Sequence, residues 1–319
     1  MKKFLDTIKF EKWKAWIYLA PALVLLLVFT FWPIFNTVRI SFLEQYNAAI
    51  ERYYGSGYFT ASLLNYEIVI DNPDFKTCLS NTLILCVLTV PISTILALVI
   101  AVCLNAIKPL QRFLQTIFFL PYVTNSIAIG MVFAAMFGMV RGASGYDNPE
   151  SVGIINTVLV EVFHVDFINW INTGSSHFHN MVVMVIYIVW NALPFKILIL
   201  LGGLQSVNKQ YYDAAKIDGT SRFRTFTRIT VPLLSPMLAY VIITSFIGGF
   251  KEYSSIVGIF GENMGPAGSE YTMDTMVGFI YRNIGTAPQV ASAGAILLFF
   301  IIFAVTMVNL YVSNKKTHY

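Results

Sequence analysis

Residues 204–236 read LQSVNKQYYDAAKIDGTSRFRTFTRITVPLLSP, a polar interruption between two long apolar runs. Within it, 208–218 reads as a short helix, and Gly219 supplies a left-handed stop at no steric cost. Thr220 or Ser221 then caps a second helix, in which Phe223, Phe226 and Ile229 recur every three residues while Arg222, Arg224 and Arg228 fall largely elsewhere. Pro232 and Pro236 are expected to interrupt helix continuation where the next apolar run begins. The stretch is thus a basic helix–turn–helix whose small residues, Ala214 and Ala215, let it approach a groove on a partner protein. A basic loop resting on anionic lipid is the alternative.

The flanking runs set the class. The 319 residues are 56% hydrophobic, 15% aromatic and only 12% charged, against about 25% charged in soluble domains. Mean hydropathy is +0.67. Such a chain is a polytopic membrane protein, which excludes a secreted disulfide scaffold, a disordered regulator and a nucleic-acid binder. Crossing about 30 Å of hydrocarbon takes about 20 apolar residues, and six runs qualify: 16–35, 79–104, 113–139, 179–204, 235–260 and 288–312. The first is too long, and its Ala20-Pro21-Ala22 too early, for a cleaved signal peptide. Cys78, Cys86 and Cys103 have no metal-ligand or redox spacing and are read as packing residues.

Lys and Arg are distributed unevenly. Segments 1–15, 105–112, 205–234 and the stretch after 312 hold five, two, five and two of the 21. The longer intervening loops, 36–78, 140–178 and 261–287, hold three, one and one, and Lys196 and Lys251 lie within spans. This bias predicts cytoplasmic N- and C-termini. Trp16, Trp32 and Trp170 suit the membrane interface. The expected organisation is a cytoplasmic segment 1–15 and one transmembrane domain 16–319 carrying the loop 205–234.

Asp213-Ala214-Ala215, Ile217-Asp218-Gly219, Phe226 and Ile229-Thr230-Val231-Pro232 resemble the "EAA" loop of the membrane subunits of ATP-binding-cassette (ABC) importers. Asp213 stands where that family has Glu, and Val231-Pro232 where it has Leu-Pro. The resemblance extends through Leu19-Ala20-Pro21-Ala22, Asn65-Tyr66, Asn81-Thr82, Leu120-Pro121-Tyr122, Gly153-Ile154-Ile155-Asn156 and Ala291-Ser292-Ala293, and narrows to the sugar-importing branch, closest to its maltose- and glycerol-phosphate-type first permease. It implies an all-α type I ABC importer fold with six transmembrane helices and a cytoplasmic coupling helix, in a prokaryotic cytoplasmic membrane. The implied partners are a second permease, two ATPase subunits that bind ATP and Mg, an extracytoplasmic sugar-binding protein and membrane lipid. It assigns ATPase coupling to Asp213, Ala214, Ala215, Ile217, Asp218, Gly219, Phe226 and Pro232. The polar loop 258–274 departs from the family's compact Gly-Gly-Pro turn and bears on binding-protein docking.

A sugar path needs groups that match hydroxyls and aromatic faces that stack on rings. Asn125, Tyr187, Trp190, Asn191, Phe250, Lys251, Glu252 and Tyr253 are the intramembrane candidates; ordinary interhelical bonding and packing is the alternative for each. Glu252 and Lys251 are costly at that depth unless near enough to the outer end to snorkel, and Lys251 is a candidate partner for an acidic sugar. Lys196, about 12 Å from the inner end of its span, is expected to snorkel to water. His177-x-His179 lacks a third ligand at a metal-site spacing and reads as solvated loop. With no G-x-x-x-x-G-K-[ST] loop in the sequence, energy for transport is expected from a separate ATPase. An ion-coupled secondary transporter would be expected to show more intramembrane carboxylates, and an intramembrane enzyme more than a lone Glu252.

Overall fold

The computed structural model describes residues 2–107, 111–142, 145–146 and 149–316; the side chains of 1–12, 15, 108–112, 314 and 316–319 are outside the described set. Most of the basic side chains expected in 1–15 and 105–112 therefore fall outside it. The described elements are helical apart from one two-stranded antiparallel pair, β1 (Met139–Val140) and β2 (Ser151–Val152). Four helices are long and apolar enough to cross a membrane: Trp16–Ser41, Pro73–Ala106, His177–Ser206 and Pro288–Ser313.

The other two expected spans are not single straight helices. The run 113–139 breaks into α6 (Gln111–Val123) and α7 (Ser126–Phe137), and Phe113–Val123 meets Ser126–Phe137 at 97°. Asn125 makes the break, because its backbone is extended while its side chain accepts the amides of Ile127 and Ala128 at 2.9 and 3.3 Å. The run 235–260 likewise divides at 251–253 into α13 (Ser235–Phe250) and α14 (Ser254–Phe260), and α13 is bent by 69° from the preceding Arg222–Leu233. Runs of apolar residues mark what lipid tolerates, and a capping side chain inside one ends a helix without leaving it.

The chain divides into two compact units. In the unit formed by the residues up to Asp71 and Ile280–Leu297, the first helix passes through a π-turn at Leu27–Phe31, and its 18-residue apolar window buries none of its side chains. The Asn65-Tyr66 pair ties the chain after it: Asn65 Nδ2 donates to the carbonyls of Ser41 and Leu43 at 3.0 and 2.9 Å, and the Tyr66 and Ser41 hydroxyls are 2.7 Å apart. Arg39 donates to Glu51 at 2.6 Å, and the Tyr46 hydroxyl donates to the same carboxylate at 2.7 Å. These bonds hold the Glu51 carboxyl below its ordinary value, Arg39 first and Tyr46 second. Burial pushes the Tyr46 phenol up, with Glu51 adding to it.

The unit of residues 72–279 and 298–319 is built on α5 (Pro73–Ala106) and α9 (His177–Ser206). Their buried residues recur every three or four positions, as in Cys78, Thr82, Leu85, Thr89, Ser93, Ala97, Ala101 and Leu104 on α5 and, on α9, Asn180, Met184 and Tyr187 and then Ile197, Leu201 and Leu204. Along the same face α5 carries a polar series, Asn81, Thr82, Thr89, Ser93 and Thr94, all buried. Asn81 Nδ2 donates to the carbonyls of Thr272 and Asp274, each at 2.9 Å, and the Thr82 hydroxyl accepts the Met276 amide at 3.0 Å. The 258–274 loop is thereby fastened to α5, and Met264 and Met273 from it enter the core. Where α7 and α14 cross, a Cβ built on Gly130 would lie 2.6 Å from Gly258 Cα, so only glycine permits the contact. Cys78 and Cys86 are buried as expected; Cys103 is exposed on the outer face of α5.

Candidate functional site

The bends create a cavity of about 380 Å³ in the larger unit. Helix α5 lines it with Thr89, Val90 and Ser93, the α6–α7 break with Tyr122 and Ser126, and α9 with Ile188, Asn191, Ala192, Phe195 and Lys196. Helix α13 adds Thr244, Ser245, Gly248 and Gly249, and the turn after it adds Glu252. The wall therefore combines hydroxyls, one amide, one ammonium, one carboxylate and two aromatic rings, Tyr122 and Phe195, which stack with centroids 5.8 Å apart.

Of the eight predicted path residues, Asn191 and Glu252 line this cavity. Glu252 also accepts the Ser255 amide at 3.2 Å, so the carboxylate serves the first turn of α14. Asn125 is spent on capping α7. Tyr187 is fully buried and donates its hydroxyl to the Ser126 carbonyl at 2.5 Å, which fixes the α7 end of the wall from behind. Phe250 is buried at the end of α13, Trp190 packs against Phe133 and Tyr253 packs on the neighbouring core. Lys251 is exposed and is absent from the lining. Trp170, expected at an interface, instead packs edge-on against Phe137 and donates to Asn156 Oδ1 at 3.2 Å. His179, in the first turn of α9, has Nδ1 3.2 Å from the Asn169 carbonyl and its ring tilted against the same indole, 5.4 Å between centroids.

The expectation for Lys196 is overturned. Its side chain is 4% exposed and does not extend to the helix end. Lys196 Nζ donates to Ser93 Oγ at 2.6 Å and to Thr94 Oγ1 at 3.3 Å. Each hydroxyl passes its own proton back to α5, Ser93 to the Thr89 carbonyl and Thr94 to the Val90 carbonyl, so both oxygens are left as acceptors for the ammonium. A stem of four methylenes reaches either water or a neighbouring helix, and here the acceptors on α5 are nearer. Sequence reasoning also missed Thr89, Ser93, Ser126, Thr244 and Ser245. The signal was available for the first two, at i and i+4 on one helix face.

The polar hairpin forms largely as expected. Helix α10 (Lys209–Ile217) begins at Asn208, whose side chain accepts the Gln210 amide at 3.0 Å. It ends at Gly219 with φ +64°, where the Gly219 amide reaches the Lys216 carbonyl and the Thr220 amide the Ala215 carbonyl. That pair of bonds is a Schellman closure. Ser221 is the cap of α11 (Arg222–Thr225), and a π-turn at Phe226–Thr230 carries the chain into α12 (Val231–Leu233). Pro232 is tolerated in the first turn of α12 and does not stop the chain; the bend comes at Leu234.

The two alanines do not share a role. Ala215 is buried within the hairpin, while Ala214 is exposed along with Asp213, Ile217, Asp218 and Gly219. The reading of Ala215 as a surface contact is therefore corrected: adjacent helix residues point about 100° apart, and Ala215 lies on the face of α10 where Tyr212, three residues before it, meets the Thr230 hydroxyl of the second arm. Ile217, at 87% exposure, and Phe223, at 78%, are the most exposed large apolar groups of the hairpin, with Tyr211 also outside, and Phe226 is half-buried.

Comparison with known proteins agrees with this architecture. Over 266 residues the chain is 28% identical to the lactose transport system permease protein LacF of Rhizobium radiobacter, covering 82% of this chain and 81% of that one. Over 309 residues it is 28% identical to the arabinooligosaccharides transport system permease protein AraP of Bacillus subtilis, covering 96% and 90%. Its fold matches a chain of a bacterial ABC transporter involved in the import of the acidic polysaccharide alginate, with TM-score 0.77 over 99% of this chain and all of that one, at 18% identity. The fold is thus that of an ABC importer permease, and the chain is a multi-pass membrane protein. Residues 81–318 match the family of binding-protein-dependent transport system inner membrane components, and the chain belongs to that family.

Proposed function

We propose that this protein is one of two membrane subunits of an importer that passes a saccharide through the 380 Å³ cavity. The observation that carries this reading is the cavity wall. Hydroxyls of Ser126, Thr244 and Ser245 and the Asn191 amide match sugar hydroxyls, and Tyr122 with Phe195 offers aromatic faces. The relatives named for lactose and arabinooligosaccharide transport support it. Tyr187 and Phe250 act behind the wall as packing, Asn125 caps α7, Trp190 and Tyr253 pack on neighbouring side chains, and Lys251 stands outside the wall.

Residues 1–15 form a cytoplasmic segment and 16–319 one membrane domain, with both termini in the cytoplasm and the 205–234 hairpin facing two ATPase subunits. Asp213, Ala214, Ile217 and Asp218 form the contact face; Ala215, Gly219, Phe226 and Pro232 shape it from within. ATP and Mg are held by those partners, and this chain has no ATPase site of its own. A binding protein delivers the sugar from outside. Movement of the hairpins by the ATPases opens the cavity outward, and hydrolysis resets it. A secondary transporter leaves the exposed Ile217 without a purpose, and an intramembrane enzyme would need a second acid–base group beside Glu252.

The test is an affinity pull-down in mild detergent. Intact protein is expected to bring down a second permease and an ATPase. Ile217→Glu or Ala214→Arg, both on the exposed face, is expected to lose the ATPase and keep the second permease. An intact protein that purifies alone under conditions preserving complexes would overturn the proposal.

A further inference from the structure

The lysine of the cavity wall is a buried charge facing no carboxylate. Among the described residues no acidic oxygen lies within 4.0 Å of Lys196 Nζ, whose partners are the Ser93 and Thr94 hydroxyls alone. An ammonium has three donors. Two are taken by α5, which leaves one for the cavity that Lys196 lines.

The other charge of the wall is too distant to neutralise it. Gly203 on α9 packs against Leu234 and Met237 at the start of α13, so the two helices are level there. At 1.5 Å per residue the Lys196 backbone sits about 10 Å above that level, and Glu252, beyond the far end of α13, about 22 Å or more above it. The two backbone positions thus differ by roughly 12 Å or more in depth, no ion pair joins the side chains, and the carboxylate is engaged by the Ser255 amide.

An unpaired charge inside a membrane domain is costly to hold and marks a functional position. Neutral sugar hydroxyls need no such group, because the amide and hydroxyls of the wall already match them. We infer that Lys196 is the specificity-determining residue of the cavity and selects a saccharide bearing a carboxylate. A carboxylate matches the charge of a single ammonium, whereas a phosphate carries about −1.5 to −2 at neutral pH and the lining offers no second cation. Ser93 and Thr94 act as positioning residues that hold the ammonium on α5 and aim its remaining proton inward. This inference rests on the proposed saccharide path and names its substrate class.

The test uses the assembled importer with its binding protein in ATP-loaded proteoliposomes. Uptake of labelled trigalacturonate is compared with that of its methyl ester, the same trisaccharide without charge, each at a concentration saturating the binding protein. Wild type is expected to move the acid about tenfold or more faster than the ester, the scale of a charge-assisted hydrogen bond. Lys196→Gln is expected to abolish the ratio by slowing the acid alone, and Lys196→Arg to keep most of it. Equal wild-type rates for acid and ester, a Lys196→Gln complex that retains the ratio, or equal loss of both substrates would each overturn the inference while leaving a saccharide importer standing. Equal wild-type rates overturn the inference without any variant, and Lys196→Met supplies a second neutral side chain if Lys196→Gln fails to assemble. Movement of neither saccharide by an assembled complex would overturn the proposed function and this inference together.

Discussion

Gly130 offers the sharpest test of how the broken spans are held. It lies in α7 where that helix crosses α14, and a Cβ added there falls 2.6 Å from Gly258 Cα and 2.7 Å from its carbonyl carbon. Carbon atoms rest about 3.5–4.0 Å apart, so Gly130→Ala forces the helices apart by about 1 Å. Both contacting atoms are backbone and cannot rotate away. Overpacking of this kind costs about 1–3 kcal/mol, offset in part by the 0.5–1 kcal/mol that alanine gains over glycine, roughly, inside a helix. Gly202 provides the reference, because it lies within α9 with nothing within 4 Å of a built Cβ. Gly202→Ala makes the same helix-propensity gain without the clash, so the difference between the two variants isolates packing. Equilibrium unfolding in mixed micelles is expected to place Gly130→Ala about 1–3 kcal/mol below Gly202→Ala. Gly258→Ala, whose nearest contacts are 3.0 and 3.1 Å, should fall between them. Equal stability of all three would refute the close approach, and with it the account of how α7 and α14 position Ser126 and Glu252.

Other predictions concern loops and turns. Asn81→Ala removes both bonds to the 272–274 backbone and strands two carbonyls; a loss of about 1–3 kcal/mol should appear as faster proteolysis within 261–275, and unchanged cleavage would contradict the fastening role. Gly219→Ala forces a left-handed alanine, and Ser221→Ala removes the cap of α11; each should cost about 1 kcal/mol, read as faster amide exchange across 209–225. Glu51 is held below its ordinary value, so its contribution is present above about pH 4.3 and is lost as pH falls through its lower folded value. Tyr46 fluorescence near the bond should therefore change in acid, and Glu51→Gln should remove that transition; a transition surviving in the variant would assign it elsewhere.

Several sequence motifs proved to be fasteners. Asn65-Tyr66 and Asn81-Thr82 were legible as marks of a family, yet nothing in their spacing announced that each secures a chain segment through backbone carbonyls. The partners of Asn81 lie 191 and 193 residues away. Gly153 and Asn156 behave alike: a side chain on Gly153 would collide with the carbonyls of Ala135 and Met136, and Asn156 grips Ile168 and Trp170. The hairpin was legible in more detail, because caps and a left-handed glycine act between residues adjacent in sequence.

The membrane class, the run of spans, the Gly219 turn and the family resemblance all follow from local properties: apolar length, charge bias and short-range backbone chemistry. These act over a few residues and need no knowledge of neighbours. Which side of a helix meets lipid, core or cavity depends on contacts across more than a hundred residues, and only the tertiary structure settles it. It left Lys251 outside the wall, fastened Asn81 to the 272–274 backbone and brought Lys196 onto Ser93 across 103 residues. A sequence gives the angle at which a side chain leaves its helix; the packing of the other helices decides what stands there to receive it.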